Sequence, residues 1–413
     1  MKIAIVGAGI SGNAIAHLLH KEHKITLFEK NDRIGGHSHT HKIQIEDKTI
    51  SVDTGFIVFN KKTYPLFTSL LDKLGVDYED SNMSFSVFSK LSGLEYNGTN
   101  LNTLFSQRKN LFNFKFIKMV LEIFRFNKKA LELLSTKEEI TLGDYLANHN
   151  YSSYFSKHYI LPMGSAIWSS NIETMLNFPA KFFVKFFHNH GMLNINDRPQ
   201  WLTITGGSES YVKKLCEPFI NSIKLNSNIR FIERMENKVI IHHNQGSENF
   251  DYLFMACHSN EALKLIKDTS YVEKELLGSI PYADNDVYLH TDASIMPKHK
   301  LSWAAWNYNI DNKSHEPISL TYNMNILQNI KSENPILVTL NPKSNLDPKK
   351  IIKKLNYAHP TFSIDGINAQ KNHHLISGVN RTFYAGAYWG NGFHEDGVKS
   401  AFDSVNQLNK LLN

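Results

Sequence analysis

Cysteine is almost absent from this chain, since only Cys216 and Cys257 occur among 413 residues. Neither lies in a paired-cysteine spacing, so neither a disulfide framework nor a cysteine zinc site is expected, and a reducing compartment is indicated. Runs of about 18 apolar residues, which a membrane span requires, are also missing. The first apolar run, KIAIVGAGI, is too short and too interrupted by glycine to act as a signal peptide. We therefore expect a soluble, cytoplasmic protein.

Low-complexity sequence is absent as well, and a composition of 42% hydrophobic and 20% charged residues is typical of a folded protein. A chain of 413 residues is too long for one ordinary core and predicts two domains with a cleft between them. The net charge of +6 is modest. We predict no nucleic-acid partner, and the sequence specifies no oligomeric state.

The positive charge is concentrated in residues 108–129, which hold seven basic residues and one acid. On a helical wheel the apolar residues of this stretch share one side, so the pattern predicts an amphipathic basic helix that could lie on an anionic membrane surface. A helix packed on the core with a solvated basic face is the alternative. The apolar side holds Phe112, Phe116, Met119, Val120, Ile123 and Phe124, and the opposite side holds Lys115, Lys118, Glu122, Arg125 and Lys129.

Three glycines follow KIAIV, whose uninterrupted apolar run is typical of a strand buried in a parallel sheet. Gly7, Gly9 and Gly12 form the pattern G-x-G-x-x-G, which precedes a helical stretch, SGNAIAHLLHKE, and a second strand, KITLFE. In this arrangement the first glycine permits a tight turn, the second lets a pyrophosphate approach the backbone, and the third allows close helix packing. The phosphates then meet the free N–H groups of the helix N-terminus.

Glu29 ends the second strand about 20 residues after the glycines, where a carboxylate accepts hydrogen bonds from ribose hydroxyls. A carboxylate at this place also repels a 2′-phosphate. The glycines and Glu29 together predict a dinucleotide site, and a glycine turn without a ligand is the alternative.

The residues after Glu29 resemble those of the flavin-containing amine oxidase and phytoene desaturase-like superfamily. KNDRIGGHSHT and SVDTGFIVFN stand in the order in which that superfamily places an Arg-x-Gly-Gly segment along an FAD cofactor. The resemblance implies FAD, with Gly35 and Gly36 against its diphosphate and ribityl chain and a hydrogen bond from His37, where many relatives carry arginine. The implied cofactor-binding residues of this first segment are Gly7, Gly9, Ile10, Ser11, Gly12, Glu29, Lys30, Gly35, Gly36, His37, Gly55 and Phe56.

The resemblance covers essentially the whole chain, through DTGFIVFN, LPMGSAIWSS, FFHNHGMLN, RPQWLTITGGS, ACHSN, SWAAWNY and AGAYWGNGFHEDG. These motifs are similar to those of a branch of bacterial NAD/FAD-binding proteins that are often encoded beside cyclopropane-fatty-acyl-phospholipid synthases. The resemblance implies an α/β fold, in which a discontinuous Rossmann-type FAD-binding domain joins an α+β substrate domain of mixed sheet and helices. The FAD-binding domain would comprise residues 1–60, 201–270 and 376–413, and the substrate domain residues 61–200 and 271–375.

Two later stretches would complete the cofactor site. Residues 223–257 predict successive short strands with a turn at Asn244 to Gly246. The resemblance implies that Ile229 there gives adenine backbone hydrogen bonds, and a β-meander without a ligand is the alternative. Residues 382–412 predict a strand, an aromatic glycine-rich turn and a helix beginning around Glu395. There the resemblance implies flavin contacts from Gly386 and from the backbone N–H groups of Asp396, Gly397 and Val398.

Three residues near this helix are candidates for catalysis. The resemblance places His394 towards the substrate, where an unperturbed pKa near 6.5 would let it exchange protons around neutrality; helix capping is the alternative. Tyr388 and Trp389 would either wall the flavin or pack. Tyr388 also stands where the family usually carries an acidic residue, which is a departure at the ribityl contact. We predict no metal, because no carboxylate or cysteine cluster accompanies the histidine pairs His37/His39, His188/His190 and His242/His243.

The aromatic stretches NFPAKFFVKFFHNHGM and SWAAWNY suit an apolar substrate, with core packing as the alternative. Amine oxidases of this fold usually hold a lysine near the flavin, and the comparable strand, SIPYADNDVYLHTD, has none before Lys298. We therefore predict an FAD-dependent oxidoreductase that dehydrogenates a fatty-acyl (phospholipid) chain. A redox-neutral double-bond isomerase is the alternative, and a carotenoid desaturase, an amine oxidase and a non-catalytic lipid carrier are further hypotheses.

Overall fold

The computed structural model describes residues 1–45, 47–136, 139–194, 198–310 and 315–413. Within these ranges the strands, in chain order, are β1 (Lys2–Val6), β2 (Lys24–Phe28), β3 (Thr40–Ile45), β4 (Lys48–Asp53), β5 (Val58–Phe59), β6 (Tyr78–Ser81), β7 (Phe85–Phe88), β8 (Glu95–Asn97), β9 (Trp201–Ile204), β10 (Ile223–Lys224), β11 (Phe231–Arg234), β12 (Val239–His243), β13 (Gly246–Phe250), β14 (Tyr252–Met255), β15 (Tyr282–His290), β16 (Trp306–Asn309), β17 (Ser319–Asn323), β18 (Leu337–Leu340), β19 (Ile351–Pro360) and β20 (Thr382–Tyr384).

The α-helices of the same ranges are α1 (Ile10–Leu19), α2 (Pro65–Lys73), α3 (Leu101–Leu104), α4 (Phe114–Lys129), α5 (Leu142–Asn148), α6 (Ser153–Phe155), α7 (Leu161–Trp168), α8 (Ile172–Leu176), α9 (Ala180–Asn189), α10 (Glu209–Cys216), α11 (Ser259–Leu265), α12 (Tyr271–Gly278), α13 (Met324–Leu327), α14 (Ile364–Lys371) and α15 (His394–Leu412).

β1 is the central strand of a five-stranded parallel sheet with the order β10-β2-β1-β14-β20. Its side chains alternate between two buried faces: Ile3 and Ile5 pack with α1, α10 and α15, and Ala4 and Val6 pack with the antiparallel sheet β11-β12-β13. Because both faces are covered, the strand is apolar throughout. The sheet draws its strands from three separate parts of the chain, so the predicted discontinuous, Rossmann-type α/β fold is confirmed.

A second, seven-stranded sheet has the order β19-β15-β18-β17-β16-β7-β8. Its pairs are antiparallel except for β16 and β7, so it is a mixed sheet, as predicted. Helices α4 to α9 pack on one part of it around a core of buried aromatic residues. Within the described ranges, none of the helices combines the length and the apolar character needed to cross a bilayer.

The basic segment differs from its predicted form. Asn113 accepts hydrogen bonds from the N–H groups of Lys115 and Phe116, so the side chain of Asn113 caps α4 and the helix begins only at Phe114. Phe112 and Phe124, which we placed on the apolar side, are exposed. Glu122, which we placed on the basic side, is buried and accepts hydrogen bonds from the N–H and hydroxyl of Ser152.

Candidate active site

Three glycines have different roles in the turn between β1 and α1. Gly7 has a φ of +103°, and a Cβ on Gly12 would lie 1.9 Å from the Gly7 carbonyl oxygen, so both positions are needed for the turn itself. A Cβ on Gly9, by contrast, would meet no atom within 4 Å, since Gly9 opens onto a cavity. No side chain caps the N-terminus of α1 at Gly9. A cradle of this kind fits a pyrophosphate group.

Glu29 lies at the carboxyl end of β2, buried and on the cavity wall. One carboxylate oxygen accepts the N–H of Ala8 (2.8 Å) and the other accepts the N–H and side-chain amide of Asn31 (2.9 and 2.8 Å). These bonds hold β2 against the glycine turn. A carboxylate has about four acceptor positions, so it keeps the capacity to accept a hydrogen bond from a ribose hydroxyl.

The Arg-x-Gly-Gly segment lies directly on the glycine turn, because a Cβ on Gly36 would come within 3.0 Å of the Gly9 Cα. Gly36 has a φ of +58°, a conformation that glycine adopts without strain. The Arg33 guanidinium donates to the carbonyl oxygen of Gly36 (2.7 Å) and holds the turn. On the other side, the N–H of Phe56 donates to the His37 carbonyl (2.9 Å).

The predicted residues come together around a cavity of about 1400 Å³. Pockets for one drug-sized ligand measure about 300 to 1,000 Å³, so this cavity has room for a dinucleotide and a substrate. The predicted site residues that line it are Gly7, Gly9, Ile10, Ser11, Glu29, Lys30, Gly35, Gly36, His37, Gly55, Phe56, Ile229, Gly386, Tyr388 and His394. The open backbone at Gly9 and the carboxylate of Glu29, on the same wall, fit the pyrophosphate and the adjoining ribose of an adenine dinucleotide.

The sequence profile of the flavin containing amine oxidoreductase family matches residues 11–308, which is more than half of the chain. This chain belongs to that family. Its cofactor is FAD, and it is an FAD-dependent oxidoreductase, as the sequence predicted. This activity contradicts the hypothesis of a non-catalytic lipid carrier.

One curated protein and several solved structures are also similar to this chain. A lysine-specific histone demethylase 1B homolog of Caenorhabditis elegans is 38% identical over 85 residues, which is 20% of this chain and 10% of the relative. The chain thus spans about a tenth of that curated relative. Two solved structures share the fold: cyclohexylamine oxidase from Brevibacterium oxydans (14% identity, 100% and 99% of the two chains, TM-score 0.68) and a CLA-producing fatty acid isomerase from P. acnes (16%, 98% and 98%, TM-score 0.69).

The start of α15 lies close to the predicted flavin contacts but presents different residues to the cavity. The helix begins at His394, and the Gly397 N–H donates to the Phe393 carbonyl (3.1 Å), so this N–H is occupied within the helix. A Cβ on Gly397 would lie 2.7 Å from Ile10, because α15 packs directly on α1 here. Phe393 and His394 line the cavity instead of the three predicted backbone donors, Asp396, Gly397 and Val398.

The side chain of Asp396 stabilises the start of α15. It accepts the N–H of Phe393 (3.0 Å), which closes the first turn of α15. Burial raises the pKa of this carboxyl to about 6, although the hydrogen bonds from Phe393 and Asn391 oppose the rise. The amide of Ile229 is also already bonded, because it donates to the Ser227 carbonyl (2.9 Å).

His394 lies on the cavity wall, where its ring stacks on Phe56 with centroids 3.6 Å apart. Its Nε2 is 2.9 Å from the Ser38 hydroxyl and 3.0 Å from the Tyr211 hydroxyl. Burial lowers the pKa of His394 to about 3. A pKa this low favours a neutral imidazole at physiological pH and does not support proton exchange by His394 around neutrality, which stays a prediction.

The two aromatic candidates for catalysis, Tyr388 and Trp389, have different surroundings. Tyr388 is buried on the cavity wall, and its hydroxyl has no hydrogen-bond partner among the described residues. Trp389 does not line the cavity; its ring stacks on His373 with centroids 4.1 Å apart. This contact favours the packing alternative for Trp389, whose catalytic role stays a prediction.

Three residues of the cavity wall around His37 were not predicted from the sequence. The rings of Tyr357, His359 and His258 lie 5.2, 5.3 and 5.9 Å from the His37 ring. Burial and then the neighbouring imidazoles lower the pKa of His37 well below its ordinary value, and Nε2 of His37 has no partner among the described residues. His258 lies three residues after the end of β14, the neighbour of β1, so its position near the carboxyl end of the sheet could have been predicted. His359 lies on β19 and offered none.

Buried histidines predict that the protein loses stability in mild acid. Burial lowers their pKa from 6.5, so between pH 6.5 and about 4 the unfolded chain binds protons that the folded chain does not, and stability falls as the pH falls. The well-buried His190, His290 and His394 each contribute about 3 kcal/mol to this loss, and the partly exposed histidines contribute less. Asp53 and Asp396, with pKa values raised to about 6, act in the opposite direction over pH 4 to 6 but are fewer. The histidines with pKa values of about 3 or 4 are His39, His41, His190, His290, His359, His373 and His394.

Melting temperatures at pH 7.5, 6.5, 5.5 and 4.5 check this expectation. His290 is buried away from the cavity and bonds the Thr339 hydroxyl (2.8 Å), so His290→Asn tests one group without touching the site. We expect this variant to melt at a lower temperature at neutral pH but to show a shallower pH dependence than the parent. An exposed control, His188→Asn, should leave the profile unchanged. Constant stability down to pH 4.5 would contradict the prediction.

Proposed function

We propose that this FAD-dependent oxidoreductase removes hydride from an apolar, fatty-acyl substrate and thereby introduces a double bond. The chemistry of the cavity wall carries the proposal. Of the described lining residues in 61–200 and 271–375, only Arg198 and Asp284 bear a formal charge. The other lining residues of these two stretches are mostly aromatic, aliphatic or methionine side chains, which suit a hydrocarbon.

Helix α7 presents one side of this apolar wall. Met163 and Ile167 are four residues apart, lie on the same face of the helix and both line the cavity. Phe186 of α9, Trp306 of β16 and Phe362 add aromatic surface. Such walls exclude water from the substrate, and FAD supplies the capacity to accept hydride when it is bound.

A redox-neutral double-bond isomerase is the second candidate, and the weak basicity of the wall favours it. Burial lowers the pKa values of His190, His359 and His394 to about 4 or 3. Desaturation must pass a proton from the substrate to a base of this kind, whereas isomerisation returns hydride to the same chain and loses no proton. The fold shared with the CLA-producing fatty acid isomerase is consistent with this route.

Amine oxidation receives less support. The described lining residues of 61–200 and 271–375 include no lysine, and Asp284 is the one carboxylate among them that could pair with a substrate ammonium. Amine oxidases share this scaffold, but a common fold does not fix the reaction.

Anaerobic incubation of the purified yellow protein with extracted phospholipids tests the proposal. We expect bleaching of the flavin absorbance and acyl chains that have lost two hydrogens. Products of unchanged mass with a moved double bond would select isomerisation instead. A flavin that no lipid reduces, together with unchanged acyl chains, would refute both lipid reactions, and rapid bleaching by simple amines would reinstate amine oxidation.

We expect Met163→Trp to reduce turnover of long acyl substrates by about 10-fold or more, because overpacking of a filled site costs about 1 to 3 kcal/mol. The substitution adds an indole to the wall at a residue away from the glycine turn, so FAD content should stay that of the parent. Met163→Leu is the matched control and should keep its turnover. Equal kcat/KM values for the Trp variant and the parent would show that α7 does not face the substrate.

A further inference from the structure

Large apolar side chains are exposed along one short part of the substrate domain. Phe112 is 92% exposed, Phe114 81% and Leu101 75%. Clusters of exposed apolar side chains of this kind mark interaction sites on soluble proteins. They interleave with basic residues, all of them exposed. We call this region the Phe112 surface; it comprises Leu101, Leu111, Phe112, Phe114, Leu121 and Phe124 together with Arg108, Lys109, Lys115, Lys118, Arg125, Lys128 and Lys129.

The exposed apolar side chains of the Phe112 surface do not pack in the hydrophobic core. α4 already packs through a different stripe, in which Phe116, Met119 and Phe126 are fully buried. The Phe116 ring lies between those of Tyr96 and Phe105, with centroids 5.5 and 5.7 Å away. The exposed aromatic residues therefore do not belong to an incomplete core. They stand on the opposite face of the helix and on the tight turn before it.

The positive charge of the Phe112 surface indicates what kind of partner it binds. Seven exposed cations lie within residues 108–129, and the one acid of this stretch, Glu122, is buried and bonded to Ser152. Within the described part of the chain, no ion pair involves Lys109, Lys115, Lys118, Lys128 or Lys129. Unpaired cations around protruding aromatic rings are complementary to an anionic bilayer, whose phosphates attract lysine and whose acyl boundary accepts phenylalanine.

The Phe112 surface is also continuous with the cavity. Gly98 and Thr99 line the cavity, and the next residue, Asn100, caps the helix that begins with the exposed Leu101. Tyr96, another wall residue, contacts Phe116 from the other side of α4. A bilayer seated here would lie beside the wall that we assign to the substrate.

We propose that the Phe112 surface docks the protein on an anionic lipid bilayer, with Phe112 and Phe114 entering the headgroup boundary and the lysines meeting lipid phosphates. Docking would bring the cavity close to the lipid substrate proposed above, so the reason for docking rests on that proposed function. Its test, however, measures binding alone and does not depend on turnover.

Flotation of the holoenzyme with vesicles tests the docking. We expect binding to vesicles of phosphatidylcholine with phosphatidylglycerol, no binding to phosphatidylcholine alone, and release at high salt. Phe112→Ser with Phe114→Ser should weaken partitioning by about 100-fold, since each buried phenylalanine is worth about 10-fold. Lys118→Glu with Lys128→Glu should weaken it by about 30-fold or more at low salt, since each lysine near the surface is worth about 1 kcal/mol. Tyr271→Ser, at an aromatic residue 80% exposed elsewhere, is the matched control and should bind as the parent does.

Equal binding of the Phe112 and Phe114 variant, or no binding of the parent to anionic vesicles, would overturn the docking proposal. Self-association that the same variant abolishes, without vesicle binding, would also overturn it and assign the surface to a protein contact. Vesicle binding without flavin reduction by any lipid would support docking and refute the proposed substrate. Flavin reduction by dispersed lipids without vesicle binding would do the reverse.

Discussion

Gly9→Val is expected to give a folded protein that purifies without its yellow colour. The Gly9 backbone is extended (φ −76°, ψ −174°), a conformation that valine adopts, and a Cβ there meets no atom within 4 Å. The new side chain therefore occupies the cavity rather than the core, at the place where the pyrophosphate of FAD must approach the turn. Overpacking of about 3 kcal/mol would weaken FAD binding by about 100-fold.

Two measurements separate cofactor loss from misfolding. Circular dichroism and the melting temperature of the apoprotein should match those of the parent apoprotein, and titration calorimetry should register the lost affinity for FAD. Gly278→Ala is the control, because its Cβ also meets nothing within 4 Å but lies at the end of α12, away from the cavity. A Gly9→Val protein that retains stoichiometric FAD would refute the assigned place of the pyrophosphate.

Glu273→Ala is expected to lower the free energy of unfolding by about 3 to 5 kcal/mol, as the removal of one partner from a buried ion pair does. Arg234 and Glu273 have side chains only 1% and 3% exposed, and they pair directly, with Nη2 and Oε2 2.9 Å apart. The Tyr384 hydroxyl donates to the same carboxylate (2.6 Å). The network thus joins β11, α12 and β20, three elements far apart in the chain.

The pKa of Glu273 identifies the pairing as favourable in this fold. Burial alone would raise it, but the hydrogen bonds from Arg234 and Tyr384 outweigh burial and hold it at about 2. Urea unfolding at neutral pH measures the loss in Glu273→Ala. Asp268→Asn, at the more exposed partner of Arg234, should cost only about 1 kcal/mol, and the double variant Arg234→Met with Glu273→Leu should be more stable than Glu273→Ala alone. A double variant as unstable as the single one would contradict this account.

The residues predicted for the cofactor end of the site line one cavity, and the sequence could bring them together because their geometry is local. Gly7, Gly9 and Gly36 act through backbone conformation and close approach, which a residue type alone reveals. Glu29 lies at a fixed distance from the glycines along one strand-helix-strand unit. The fold class followed from the same unit and from the resemblance that the family match confirmed.

The rest of the site depends on contacts between distant segments. His359 reaches the cavity only because β19 pairs with β15, and nothing near His359 in the sequence indicates that pairing. The predicted donors at Asp396 to Val398 came from placing the helix start by analogy, whereas Phe393 and Asp396 close the turn one residue earlier, at His394. In α4 a signal was missed, since Asn113 is a favourable N-cap and predicts that Phe112 stays outside the helix.

The Ser11 hydroxyl donates to the carbonyl oxygen of Gly397 (3.0 Å), across 386 positions of the chain. One wall of the FAD cavity therefore does not exist while the protein is being synthesised, until the residues around 386–397 have emerged from the ribosome. Residues 2–60, which include most of the predicted dinucleotide-binding residues, have an incomplete pocket until these later residues are made. We therefore expect FAD to bind only after residues 386–397 have been synthesised.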